Sequence, residues 1–277
     1  MDTLIFENIS HLNLDHTLLC GQCFRWKKRE VGSYDGVAFG RAVNVTMSGT
    51  TLAIHNALES DRNLWAEYFD LNSDYEKIKS FLSRDGVVKK CLAGRDIRIL
   101  RQEPWETLIS FIISPNNNIP RIKGIIERLC KLYGDEIATP FGIFYSFPSA
   151  QTLANLAVAD LAGIRAGYRD KYILDAAKRV ASGALNLDGL RGQPVRFVRS
   201  ELLKVLGVGK KVADCVMLFS YGMTGVFPQD VWIKRILAEQ YGVAGKDIDG
   251  FAAATFGEYG GLAQQYLFYY YGIEKNA

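Results

Sequence analysis

No stretch of the 277-residue chain approaches the eighteen or so consecutive apolar residues that span a bilayer. The opening residues, MDTLIFENISHLNLD, also lack the basic-then-apolar order of a secretory signal, so a cytoplasmic protein with no membrane partner is expected. Cysteine is scarce and odd in number: Cys20, Cys23, Cys91, Cys130 and Cys215 read as reduced thiols, not as a disulfide framework. Cys20-Gly-Gln-Cys23 is a CxxC, but no second ligand pair follows at zinc-binding spacing, and His11, His16 and His55 all fall in the first fifth of the chain. Side chains are therefore not expected to hold a metal. Neither sign of charge dominates: 33 Lys and Arg against 30 Asp and Glu leave a net charge of +3, too weak to require a polyanion yet compatible with a local basic face. Internal repeats and low-complexity tracts are missing too, which excludes solenoids and long linkers.

What is present is ordinary globular material, 48% apolar and 23% charged, enough for a sizeable core. Residues 20–56 alternate short β-branched runs with Gly, Ser, Asn and Asp, predicting an antiparallel meander. From Asp61 the apolar spacing becomes helical. DRNLWAEYFDL and DYEKIKSFLSRDGVVKKCL each open on an acidic capping candidate, and PWETLISFIISPNN carries Pro104 at a first helical turn, with an apolar face through Leu108, Ile109, Ile112 and Ile113. Further helices are predicted in NIPRIKGIIERLCKLYG, SAQTLANL, VADLAGI, RDKYILDAAKRVASG, VRSELLKVLG, KKVADCVMLFSYG and DVWIKRILAEQYG, several closed by glycine. The expected fold class is α+β: a small N-terminal antiparallel β-sheet domain with flanking helices over residues 1–100, packed on a larger helical body over 101–277.

The chemistry is concentrated in LLKVLGVGKKVADCVMLFSYG, where a helix meets the tight turn Leu206-Gly207-Val208-Gly209 and a second helix starts at once. Such a hairpin, over about 198–221, points backbone N–H groups and a helix start outward, a geometry suited to a phosphate as well as to a plain connector. Lys211 falls in the first turn of the second helix, where the positive end of the dipole and partial burial disfavour an ammonium, so it is the candidate nucleophile. Lys210 points about 100° away and suits a phosphate or solvent. Cys215, four residues after Lys211, shares its face as a pocket wall or a small core residue. Asp230 immediately precedes the apolar-periodic run VWIKRILAEQYG. That is the place of an N-cap, and of a fixed carboxylate near Lys211 that could stabilise positive charge on a sugar as its glycosidic bond breaks.

The hairpin with its lysine, followed nineteen positions later by the aspartate, resembles the helix-hairpin-helix DNA glycosylases with lyase activity. GQCFRW at 21–26, QEPWETLISFIISPNNNIPRIKGIIERLC at 102–130, AGYRDKYI at 166–173 and GLAQQYLF at 261–268 are similar to the 8-oxoguanine branch of that superfamily, so the resemblance covers nearly the whole chain. It implies extrusion of the target nucleotide from the duplex. The carbonyl of Gly21 would accept the N7 hydrogen that 8-oxoguanine has and guanine lacks. Cys215 and Phe268 would stack on the two faces of the base, and Gln264 would read its Watson–Crick edge. Asn116 would fill the space left in the duplex, Arg121 and Arg169 would face the orphaned cytosine, Tyr168 would act as a wedge, and Gly207 and Gly209 would bring the hairpin against phosphate.

The same resemblance implies a monomer acting on double-stranded DNA with 8-oxoguanine opposite cytosine, on the nucleoid DNA of a prokaryote. It requires no cofactor, and it allows a structural cation on the hairpin carbonyls. Trp232 departs from the pattern, which has a phosphate-binding histidine there, and Ser-Pro-Asn precedes the Asn run; these features resemble a compact prokaryotic member. Lys211 implies a bifunctional enzyme, since an amine forms the Schiff base that permits β-elimination. Two other readings stay open at this level: a helix-hairpin-helix glycosylase for another damaged base, and a non-catalytic protein that uses the hairpin only to hold DNA.

Overall fold

The computed structural model describes residues 2–30 and 32–276; Val31, inside the predicted meander, lies outside the described residues. Five strands form an antiparallel sheet: β1 (Thr3–Phe6), β2 (Trp26–Glu30), β3 (Ser33–Ala38), β4 (Arg41–Ser48) and β5 (Thr51–His55), in spatial order β1-β5-β4-β3-β2. The meander from β2 to β5 stands where the alternation predicts it. Residues 20–25, included in that prediction, instead form an irregular, bent segment. The fifth strand comes from the opposite side: β1 is only four residues long, too short to show a period, and is held by its register on β5 with Leu4 opposite Ile54.

Helices α1 (Leu14–Leu18), α2 (Arg62–Tyr68), α3 (Tyr75–Leu82) and α4 (Gly86–Leu92) flank the sheet. The expected long helix over 74–92 is two helices, because Asp85 accepts hydrogen bonds from Val87 N and Val88 N and starts α4 afresh. The body contains α5 (Pro104–Ile113), α6 (Ile119–Tyr133), α7 (Ala150–Ala154), α8 (Asp170–Ala181), α9 (Val195–Leu202), α10 (Lys210–Tyr221), α11 (Val231–Tyr241), α12 (Ile248–Phe256) and α13 (Gly260–Leu267). It is helical save for one hairpin, β6 (Glu136–Thr139) and β7 (Gly142–Tyr145), whose β-branched and aromatic run the sequence reading passed over. VADLAGI coils as a 3-10 helix, and α13 runs on into a π-helical segment, Phe268–Ile273.

Two apolar cores result. Trp26, Trp65, Tyr68 and Phe69 fill the sheet core, with Trp26 Nε1 donating to Tyr68 Oη at 2.7 Å. The larger core surrounds α5 and α10, two of the most completely buried helices. Gln22 stitches the 20–25 segment to the run 97–102: its Nε2 donates to Thr17 O and Arg98 O, its Oε1 accepts from Leu100 N, and its own carbonyl accepts from Gln102 Nε2. Every polar atom of this buried side chain is thus satisfied, which fixes the turn at Gly21 to the body.

A buried ion pair ties α5 to the same segment. Arg25 lies 3.4 Å from Glu106 and also donates to the carbonyl of Tyr145. Burial pushes the Glu106 carboxyl up from its usual 4.5 to about 7, against the pull of Arg25. A carboxyl raised on folding stabilises fully below 4.5 and loses that contribution as pH rises through 7, a change of up to about 3 kcal/mol. Glu106→Gln lacks this titration. Its melting temperature relative to the native protein is therefore expected to move in the variant's favour by roughly 5 °C between pH 4.5 and 7.5, read by calorimetry; a difference that stays constant with pH would contradict the assignment.

Candidate active site

α9, the Leu206–Gly209 turn and α10 form the predicted hairpin, with α9 beginning at Val195, three residues earlier than expected. Only one of its glycines needs a left-handed backbone. Gly207 has φ +83°, and a Cβ there would lie 2.4 Å from the Tyr172 ring; Gly209 is extended and caps α10 without a side chain. The first N–H groups of α10 therefore have no side-chain cap to receive them. Lys210 is engaged in ion pairs with Asp214 at 3.1 Å and Asp249 at 2.9 Å, so the two adjacent lysines face different surroundings.

Lys211 faces inward. Its Nζ donates to Ser114 Oγ at 3.2 Å and lies 5.0 Å from the centroid of the Phe111 ring, both on or beside α5. It lines a pocket together with Gly21, Cys215, Asp230, Gln264 and Phe268, so all six residues assigned to catalysis and base recognition converge there from four separated segments. Asp230 is the N-cap of α11, accepting from Ile233 N at 2.8 Å, as its place in the sequence predicts. Burial pushes the Cys215 thiol up to about 11, so it stays protonated at neutral pH.

Gly21 turns at φ +81°, and a Cβ there would sit 3.3 Å from Ile119 and 3.4 Å from Phe268, so both backbone and space call for glycine. Two neighbours that the sequence reading passed over hold this turn: Gln22, described above, and Gln265, whose Nε2 donates to Cys20 O at 2.6 Å. Gln264, beside it on α13, is only 6% exposed, yet its Oε1 has no hydrogen-bond partner. A buried orphan acceptor costs about 1–3 kcal/mol, a cost removed when a ligand N–H meets it. Only a glutamine pair on consecutive helical positions hinted at this division of labour.

Next to the pocket opens a groove of about 770 Å³, lined by Asn116, Arg121, Gly207, Gly209, Lys211 and Trp232 among others. Its three consecutive asparagines do different work. Asn116 adopts φ +56°, which asparagine tolerates; Asn117 donates to Ile113 O; Asn118 caps α6 by accepting from Arg121 N. Arg121 is exposed on that helix's first turn, and Val231 and Trp232 are exposed at the start of α11. Tyr168 is 54% exposed. Arg169 departs from expectation: it is buried, donating to Pro115 O and Ala166 O with its guanidinium 4.4 Å from the Tyr168 ring, so it braces that loop and does not face the groove. The carbonyl of Pro115, just after α5, and that of Ala166, three residues before Arg169, are the competing acceptors that a sequence does not reveal.

Cys20 and Cys23 are free and buried, and among the described residues no group of three or more His, Cys, Asp and Glu is placed to hold a metal. No helix among them is long and apolar enough to cross a membrane.

The family model for the 8-oxoguanine DNA glycosylase N-terminal domain matches residues 4–108, and that for HhH-GPD superfamily base excision DNA repair proteins matches residues 109–254. The N-glycosylase/DNA lyase of Saccharomyces cerevisiae is 41% identical over 165 residues, which are 55% of this chain and 44% of the yeast protein. The chain thus spans less than half the length of that relative. Among solved structures, MBOgg1 in complex with a low affinity DNA ligand is 47% identical with a TM-score of 0.96, covering 99% of this chain and 96% of that one. The Clostridium acetobutylicum 8-oxoguanine glycosylase/lyase, in complex with double-stranded DNA containing cytosine opposite 8-oxoguanine, is 42% identical with a TM-score of 0.95, covering 100% of this chain and 97% of that one. With its sheet domain, its hairpin and its lysine pocket all inside these matches, the chain belongs to the 8-oxoguanine DNA glycosylase/lyase family of the HhH-GPD superfamily.

Proposed function

We propose that this protein excises 8-oxoguanine from duplex DNA and then cuts the strand, with Lys211 as nucleophile and Asp230 as its carboxylate partner. The observation that carries this reading is the convergence of Lys211, Asp230, Cys215, Gly21, Gln264 and Phe268 on one pocket beside the groove. The unprotonated Nζ of Lys211 attacks the sugar C1′; the glycosidic bond breaks, and the base leaves with the electron pair and takes up a proton. Ring opening gives an iminium between lysine and sugar, which acidifies C2′. Loss of that proton and of the 3′ phosphate by β-elimination nicks the strand. The Asp230 carboxylate, held in place by Ile233 N, stabilises the positive charge that builds on the sugar.

In the same reading the Gly21 carbonyl and the Gln264 amide meet the edges of the lesion, while Cys215 and Phe268 meet its faces. The pocket holds only about 40 Å³, room for a few waters, so a purine enters only as the lining side chains give way. Asn116 and Tyr168 enter the duplex as the base leaves, and Arg121, the exposed arginine of the groove, meets the opposite cytosine. The chain acts on this duplex as a monomer on chromosomal DNA in the cytoplasm. No step draws on a cofactor. A cation on the hairpin would be held by backbone carbonyls of the turn and would help the hairpin hold a phosphate.

The hairpin's part is tested by Gly207→Ala, which must strain φ and push Tyr172. Affinity for damaged and undamaged duplexes alike is expected to fall by about tenfold, measured as duplex Kd by fluorescence anisotropy; an unchanged Kd would remove the hairpin from the interface. The lesion assignment is tested by excision from duplexes that each carry one modified base. Release of 8-oxoguanine well above other lesions is expected, and an equal or greater release of an alkylated or deaminated base would assign the pocket to another substrate.

A further inference from the structure

Ser114 joins two regions that the mechanism above treats separately. It follows the last residue of α5, is 9% exposed, and lines the groove beside Asn116, while its hydroxyl lies 3.2 Å from the Nζ of Lys211. A serine hydroxyl has one proton to donate, and here it goes to the carbonyl of Phe111 at 3.0 Å. That leaves the oxygen lone pairs directed to accept from Lys211. An uncharged amine has two N–H bonds and one lone pair, and fixing one N–H limits the rotation about Cε–Nζ that would otherwise scatter the lone pair away from the sugar carbon. Phe111 closes a second side with its ring, so a single turn of α5 restrains the amine through a hydroxyl and through a ring face.

We infer that Ser114 is a positioning residue for the nucleophile, an inference that rests on the assignment of Lys211 as the attacking group. Its hydroxyl accepts from the amine and orients its lone pair, and through the same turn it links the asparagine that enters the duplex to the lysine that attacks. Ser114→Ala removes the acceptor with little change in volume. Ser114→Thr keeps it.

The test is borohydride trapping under single-turnover conditions, on a duplex with a preformed abasic site and on one with 8-oxoguanine opposite cytosine, with duplex Kd and melting temperature measured alongside. Ser114→Ala is expected to trap about tenfold more slowly on both substrates, the size of effect that goes with losing one hydrogen bond, while Kd stays within error and the melting temperature falls by no more than about 4 °C for the lost bond to Phe111 O. Ser114→Thr is expected to recover the native rate to within about twofold. An alanine variant that traps at the native rate, or a threonine variant as slow as alanine, would overturn the inference. If the native protein itself forms no adduct, the assignment of Lys211 fails and takes this inference with it; a native adduct with an unaffected alanine variant removes Ser114 alone.

Discussion

Lys211→Gln is expected to lose both base excision and strand cleavage by at least about 10³-fold while binding lesion duplex within about twofold of the native affinity. In the proposed mechanism the two activities fall together, because one amine displaces the base and then carries the sugar as an iminium. Glutamine is one atom shorter than lysine but keeps an N–H donor on the side that faces Ser114 and most of the volume beside the Phe111 ring. Single-turnover rates on 8-oxoguanine and on a preformed abasic site, with Kd from anisotropy, separate chemistry from binding. Retained excision with only cleavage lost would mean that water, and not the lysine, displaces the base.

The second large effect is expected at Asp230, where the proposed charge-stabilising role can be separated from the N-cap role. As an N-cap its side chain accepts from Ile233 N, and asparagine does this nearly as well as aspartate. Asp230→Asn should therefore keep its melting temperature within a degree or two but lose about 10²- to 10³-fold in the excision rate, because only the charge is gone. Asp230→Ala should lose the same chemistry and in addition about 1 kcal/mol of stability. An asparagine variant with native excision would reduce Asp230 to a cap.

Much of this site was legible because its residues are tied to local structure. A lysine in the first turn after a glycine hairpin and an aspartate just before an apolar-periodic run announce their positions through helix grammar alone. Gly21, Gln264 and Phe268 had no such grammar and were found through the resemblance of whole segments. What neither route could supply were contacts made across the fold by ordinary polar side chains. Gln22 and Gln265 fix the Gly21 turn, Ser114 meets Lys211 from 97 residues away, and Arg169 turns inward onto Pro115 O and Ala166 O. Serine, glutamine and arginine are ordinary at such positions, and only the packed chain reveals which carbonyl or amine each one meets.

The fold followed the same division. Alternation located β2 to β5, and helical spacing located α5, α6, α8, α10 and α11, since each buries a continuous face. The misses include elements decided by context: β1, whose four residues gain order from pairing with β5; the β6–β7 hairpin within a helical body; the break before α4, where Asp85 caps a new helix inside an unbroken apolar period; and the helices α1, α12 and α13, which no named segment predicted.

The most direct test of the account is borohydride trapping of the native protein on a duplex with a single 8-oxoguanine opposite cytosine, followed by identification of the adducted residue in a proteolytic digest. The predicted result is a covalent protein–DNA adduct at Lys211, formed together with base release and not formed on the same duplex carrying guanine. An adduct on another residue, or base release without any adduct, would contradict it.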